Sequence, residues 1–140
     1  MKRQLIPIDG SEQACRAAAW AQKSGARTGD ELTLLHVFDL NAAEAMALAH
    51  LTREEIAERV AAQAAPSFEK ARAAMTPNSK VETLAVIGNP ADEIVGIAKA
   101  QGYDHIVMGS RGLSGFRELM LGSVSEKVLR RAPCAVTIVR

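Results

Sequence analysis

Between Asp104 and Ser125 the chain reads DHIVMGSRGLSGFRELMLGSVS, and its glycines, hydroxyls and arginines are the residues best placed to do chemistry. A short apolar strand, Ile106-Val107-Met108, runs into Gly109, and glycines recur at Gly112, Gly115 and Gly122. Glycine lets backbone N–H groups approach a ligand closely and adopt positive φ, so successive amides can line a concavity that favours anions. Beyond Gly122 come Ser123, Val124, Ser125 and Glu126, where a helical pattern begins. Ser123 with Glu126 three residues on reads as a capping box, which puts a helix N-terminus at the far end of the loop. Unpaired N–H groups and roughly half a positive charge at that end make it receptive to phosphate. Strand, glycine loop and helix start also make an ordinary structural turn, so both readings stand on the residues alone. Two other phosphate motifs are absent: no G-K-[ST] follows the glycines, and their spacing does not form G-x-G-x-x-G.

The elements that must carry this loop follow from periodicity. Residues 3–9 (RQLIPID) form a short apolar run toward whose end Pro7, lacking a ladder N–H, should lie; Asp9-Gly10-Ser11 then signals a turn. Ser11 can cap a helix over Glu12 to Lys23, with Ala14, Ala17, Ala18 and Ala21 as its packing face and Gly25 as its stop. Glu31 to Phe38 is a near-continuous apolar run, as a parallel strand covered on both faces requires. Asp39 to His50 is ambiguous; Thr52 with Glu55 opens a long helix towards Met75 that Pro66 should kink or divide. Residues 39–65 read either as an exposed helix-loop insertion or as a lid over a ligand. Lys80 to Ile87 suggests a further strand, and Asn89-Pro90 starts a helix that Gly102 ends. After the glycine stretch and its helix, Pro133 precedes a last strand, Ala135 to Val139. Strand and helix alternate as β-α-β-α-β-α-β-α-β, which with right-handed crossovers gives an α/β fold: a parallel five-stranded sheet with helices on both faces.

Composition bounds the function. With 140 residues and no composition break or repeat, residues 1–140 are expected to form a single domain with a sizeable core. Seventeen basic against sixteen acidic residues leave a net charge of +1, so no long-range field recommends nucleic acid or an anionic membrane. No apolar run approaches the ~18–20 residues that span a bilayer, and MKRQLIPIDG lacks the apolar core of a signal peptide. The expected location is the cytoplasm. Cys15 and Cys134 lie far apart without metal-ligand spacing and read as reduced thiols rather than redox or metal groups.

Gly109-x2-Gly112-x9-Gly122-Ser123 resembles the G-x2-G-x9-G-[ST] motif of the ATP-binding universal stress proteins. The stretch VMGSRGLSGFRELMLGSVSEKVLRRAPCAVTIVR and the opening LIPIDGSE are similar to that family too, so the resemblance spans essentially the whole chain and is weakest over 39–76. It implies a Rossmann-like sheet of order 3-2-1-4-5, with a crevice between the carboxyl ends of strands one and four. In open α/β sheets ligands gather at such a crevice. It further implies that Pro7, Ile8 and Asp9 line the adenine and ribose end, and that Val37 meets adenine through its backbone. Met108, Gly109, Gly112, Gly122, Ser123, Val124 and Ser125 would surround ribose and phosphates.

Physical chemistry fits that division, since a carboxylate such as Asp9 accepts from neutral ribose hydroxyls but would repel phosphates. Arg111 and Arg117 can meet phosphate oxygens. Each residue also has a plainer use: Asp9 can close an Asx turn, Val37 and Met108 can be core, Ser123 can be only a helix cap, and loop arginines can be simply solvated. A bulky residue at Gly109 or Gly122 is expected to abolish nucleotide binding without unfolding the chain.

The expected ligand is ATP, with any Mg²⁺ carried by the triphosphate and no dedicated metal site. Hydrolysis requires a base and a positioned water. His36 and His105 fall within predicted strands, His50 falls in the ambiguous insertion, and no paired-carboxylate or Ser/His/Asp spacing is present. The expected role is therefore a cytoplasmic nucleotide-dependent stress sensor or regulator, not an enzyme. The resemblance also implies a homodimer paired antiparallel through residues 135–139. Two alternatives remain: a dimeric interaction module without nucleotide, and an ATP-using enzyme of related fold. The latter would want an SGGxDS-like loop where this chain has IDGSE.

Overall fold

The computed structural model describes residues 1–77, 79–110 and 121–140. Its strands are β1 (Arg3–Pro7), β2 (Glu31–Phe38), β3 (Val81–Ile87), β4 (His105–Gly109) and β5 (Ala135–Val139). Its helices are α1 (Glu12–Gly25), α2 (Ala42–Leu48), α3 (Arg53–Ala73), α4 (Pro90–Ala100) and α5 (Ser123–Arg131). All five strands are parallel, in the order β3-β2-β1-β4-β5. The chain thus has the expected α/β fold, with β1 between two wings that wind in opposite directions.

Strand alternation sends neighbouring side chains to opposite faces and so builds two cores. Ile6, Leu32, Leu34 and Val107 pack with Ala14, Ala17, Ala18 and Ala21 of α1 and with Ala71 and Phe68 of α3. Leu5, Leu35, Ile106 and Met108 pack with Ala91, Ile94 and Ala98 of α4 and with Val128 of α5. The alanine face of α1 lets helix and sheet backbones approach closely, which matters where the site is built.

One open reading is narrowed and two local expectations are revised. The segment after β2 contains a helix of its own, α2, opened by a capping box of Asn41 and Glu44 and burying none of its residues. The exposed insertion, rather than a lid, is therefore the form it takes in this structure. Pro66 does not divide α3, which runs unbroken for 21 residues. An interior proline costs a helix about 3 kcal/mol. Here both Pro66 and Ala62, whose carbonyl loses its partner, are exposed, while Val60, Ala64 and Ala71 anchor the opposite side. Gly25 is still helical and does not act as a left-handed stop. A Cβ there would lie 2.9 Å from both Gln4 Nε2 and Asp30 Cβ, so glycine is required by close packing. Among the described residues no helix is long and apolar enough to cross a membrane.

Candidate functional site

β1 and β4 pair in parallel, and both end at the same side of the sheet. Pro7 closes β1, the Ile8 N–H still reaches the Leu35 carbonyl at 2.8 Å, and Asp9 then leaves the sheet. One carboxylate oxygen of Asp9 accepts from the Ser11 N–H at 3.0 Å, forming the Asx turn. Its other oxygen has no hydrogen bond among the described residues. Gly10, at φ +87°, provides the left-handed step, and Ser11 caps α1 by accepting from the Ala14 N–H.

On the other side of the crevice, the Ser110 N–H donates to the Val139 carbonyl, and the Gly122 N–H donates to the Ser110 carbonyl at 2.7 Å. Ser110 and Gly122 are thus held together across the crevice side of the sheet. Ser125, buried, donates its hydroxyl to the Gly109 carbonyl at 2.9 Å and pins the first turn of α5 to the tip of β4.

The cap of α5 is Gly122, not Ser123, and among the described residues no side chain caps this helix. The expected Ser123–Glu126 capping box is not formed: Ser123 is the first helical residue, and its hydroxyl is not consumed by the helix. The other four helices are each closed by a side chain, from Ser11, Asn41, Thr52 and Asn89. At α5 the first helical bond comes from the Glu126 N–H to the Gly122 carbonyl. The N–H groups of Ser123, Val124 and Ser125 therefore carry the partial positive charge of the helix end with no intrahelical acceptor.

These pieces surround one cavity of about 310 Å³, within the size range of small-molecule sites. Pro7, Ile8 and Asp9 of the first strand's end line it, as do Val37, Met108, Gly109 and the 122–125 segment. Arg111 and Gly112, also expected here, lie outside the described residues, as do Gly115 and Arg117. The sequence reading missed Pro90 and Ile94, which form part of the wall from α4, and Ser11, Ala14 and Leu35. The Asn89-Pro90 helix start could have signalled α4, since it places a helix beginning at the same end of the sheet. Asp9 is the only charged side chain among the described lining residues, and the remaining wall is largely apolar. Such a cavity can stack a flat apolar-faced ring, accept hydrogen bonds from hydroxyls at Asp9, and receive an anion at the amides of α5.

Among the described residues no group of three or more His, Cys, Asp or Glu side chains could hold a metal ion. With one carboxylate among the described lining residues, already accepting from Ser11, a Mg²⁺ here would draw on oxygens of its own ligand. The histidines of the sheet are packed: His36 stacks on Phe38 at 4.2 Å between ring centres, and His105 meets the Thr137 hydroxyl at 2.7 Å. Burial raises the thiol pKa of both Cys15 and Cys134, and Lys70 partly offsets this at Cys15.

A family model described as the universal stress protein family matches residues 1–140. The chain belongs to the universal stress protein family. Universal stress protein YxiE of Bacillus subtilis is 35% identical, the match covering 99% of this chain and 98% of that one. The solved structure of universal stress protein UspA from Lactobacillus plantarum superposes with a TM-score of 0.74 at 28% identity, covering 99% and 97% of the two chains. A universal stress protein solved in complex with cAMP has the same fold, with a TM-score of 0.72 at 23% identity and coverage of 99% and 97%.

Gly109 has a role the sequence did not reveal. A Cβ at this position would fall 2.9 Å from Gln13 Cβ and 3.0 Å from the Gln13 carbonyl carbon. The glycine admits α1 against the tip of β4, so a larger residue must push the helix away. The expectation that bulk here spares the fold is therefore replaced. Gly109→Ala should destabilise the protein by about 1–3 kcal/mol, the usual cost of overpacking, read as a lower urea midpoint. An unchanged midpoint would show that α1 yields freely.

A second prediction concerns pH. His36 is held below the ordinary imidazole value by burial, against the attraction of Asp9; burial and Lys2 lower His105, against Asp30. The unfolded chain therefore takes up protons more readily, and stability is full above about pH 6.5 and falls as pH drops below it towards the folded values. His36→Phe keeps a ring against Phe38 and removes one titrating group. Urea titrations at about pH 7.5 and about pH 5.5 should show a smaller acid-side loss in this variant than in the parent.

Proposed function

We propose that residues 1–140 act as one nucleotide-binding domain whose ligand is ATP, with the sugar hydroxyls at Asp9 and the phosphates at the amino end of α5. The observation carrying this reading is that a carboxylate and an uncapped helix N-terminus line the same cavity without another charged side chain among its described walls. A carboxylate suits neutral hydroxyls, and free amides suit phosphate oxygens. In this reading Pro7, Ile8 and Val37 serve the adenine end. Met108, Gly109, Gly122, Ser123, Val124 and Ser125 bound the ribose and phosphates, and Arg111 and Gly112, which lie outside the described residues, belong to the same proposed set. The cAMP complex of a protein with this fold is in keeping with an adenine nucleotide, though the likeness is one of fold and the case rests on this chain's own cavity.

The role that follows is a cytoplasmic stress-response sensor or regulator, not a catalyst. Nucleotide shifts such a protein only through different affinity for two of its states. Copurifying nucleotide identified by mass spectrometry, and calorimetric titration with ATP, ADP, AMP and GTP, test the ligand. ATP is expected to bind more tightly than GTP. Asp9→Asn retains an acceptor for Ser11 but removes the charge, and should weaken ATP by about tenfold, because bonds to a charged acceptor are roughly twice as strong as neutral ones. Absence of binding by every adenine nucleotide would overturn the reading and favour a ligand-free interaction module.

We further propose a homodimer through residues 135–139. Among the described residues β5 is an edge strand paired only with β4, so its outer row of backbone groups can receive a second chain. Light scattering should give twice the chain mass of 14.9 kDa; a monomer at micromolar concentration would overturn this pairing.

A further inference from the structure

The turn that carries Asp9 is braced from behind by α3. Lys70 donates from Nζ to the Gly10 carbonyl at 2.8 Å, across sixty residues of sequence. One helical turn earlier, Ser67 lies against the same residue: its Oγ would be 3.1 Å from a Cβ built at Gly10. Ser67 and Lys70 are spaced i, i+3 and so share a face of the helix. Gly10 is at φ +87°, so the peptide held by Lys70 belongs to the one left-handed step between Asp9 and the cap of α1. Phe68, between them in sequence, meets the ring of His36 edge-on at 6.4 Å, and His36 stacks in turn on Phe38. Val37, which with Leu35 lines the cavity from β2, sits between those two rings in sequence. The second half of α3 therefore supports the backs of two strand ends whose fronts line the cavity.

We infer that Lys70 is a positioning residue for the nucleotide site: by holding the Gly10 carbonyl it sets the Asp9 carboxylate at the ribose, and so couples the seating of α3 to ribose recognition. This deepens the proposed nucleotide function and rests on it. Lys70 acts through the turn and does not line the cavity. The loss on removing it should appear in recognition of the sugar hydroxyls, not of the phosphates. By linkage, a ligand that engages Asp9 steadies α3 to the same extent that α3 favours the ligand.

The test compares ATP with 2′,3′-dideoxy-ATP, which has the same base and triphosphate, by calorimetry on the full chain. The parent should prefer ATP. Lys70→Met keeps most of the exposed stem, and should lower ATP affinity by about threefold to tenfold, the worth of one net hydrogen bond, while leaving dideoxy-ATP within about twofold. Lys70→Arg keeps a charged donor and should restore the preference. A purely structural or long-range electrostatic role would weaken both nucleotides alike. If the parent discriminates and Lys70→Met discriminates equally, the positioning role is overturned while the nucleotide site stands. If the parent binds neither nucleotide, the functional reading falls and this inference falls with it.

Discussion

The tip of β4 allows no room for a side chain, and the site depends on that constraint. Gly109 abuts the backbone of α1 at Gln13 and Ala14, while its carbonyl accepts the buried hydroxyl of Ser125 from α5. One residue thereby holds two helices from opposite faces of the sheet. The Ser110 side chain reinforces the first contact by donating to Gln13 Oε1 at 2.9 Å, and its carbonyl anchors Gly122. With α1 drawn in, Ser11 and Asp9 sit beside β4; with α5 drawn in, its amino end opens beside them. Moving either helix outward would separate the carboxylate from the amides.

The electrostatics follow from this packing. The chain is almost neutral, so nothing at long range attracts an anion. Among the described residues, what the cavity offers an anion is local: three amides at one helix end within a largely apolar wall, where low polarisability strengthens their pull. Leaving α5 without a side-chain cap gives up part of the roughly 1 kcal/mol that such caps supply elsewhere in the molecule. The helix is held instead by Ser125 and by Val128 in the core. The strand β5, packed through Val136 and Ile138 on one face, continues the sheet away from the cavity.

The two wings differ in how they are tied to the site. On the β4 side the ties are short-range and largely backbone. On the β2–β3 side they pass through α3, whose Ser67, Phe68 and Lys70 support the ends of β1 and β2. The first turns of α3 and all of α2 bury little, so this wing begins with a solvent-facing arm and ends as a wall of the site.

Local signals in the chain were sufficient for element identity. The alanine spacing of α1, the near-continuous apolar β2, the Asn89-Pro90 start of α4 and the AVTIV strand each encode their conformation within a few residues. The glycine and serine spacing likewise pointed to residues that line the cavity. Where the decisive partner is remote, the sequence was silent or misleading. Ser123 satisfies the capping pattern, yet Gly122, whose N–H is held by the remote Ser110 carbonyl, is the cap. Gly25 resembles a helix stop, yet it is needed so that Gln4 and Asp30 can approach. Pro66 carries a helix-breaking signal, yet the buried face of α3 outweighs it. Pro90 and Ile94 join the wall only because the sheet brings α4 there. Propensity and periodicity act over one or two turns and are written in consecutive residues. Close approach, cap choice and cavity walls depend on atoms far apart in sequence, and only the folded chain brings those together.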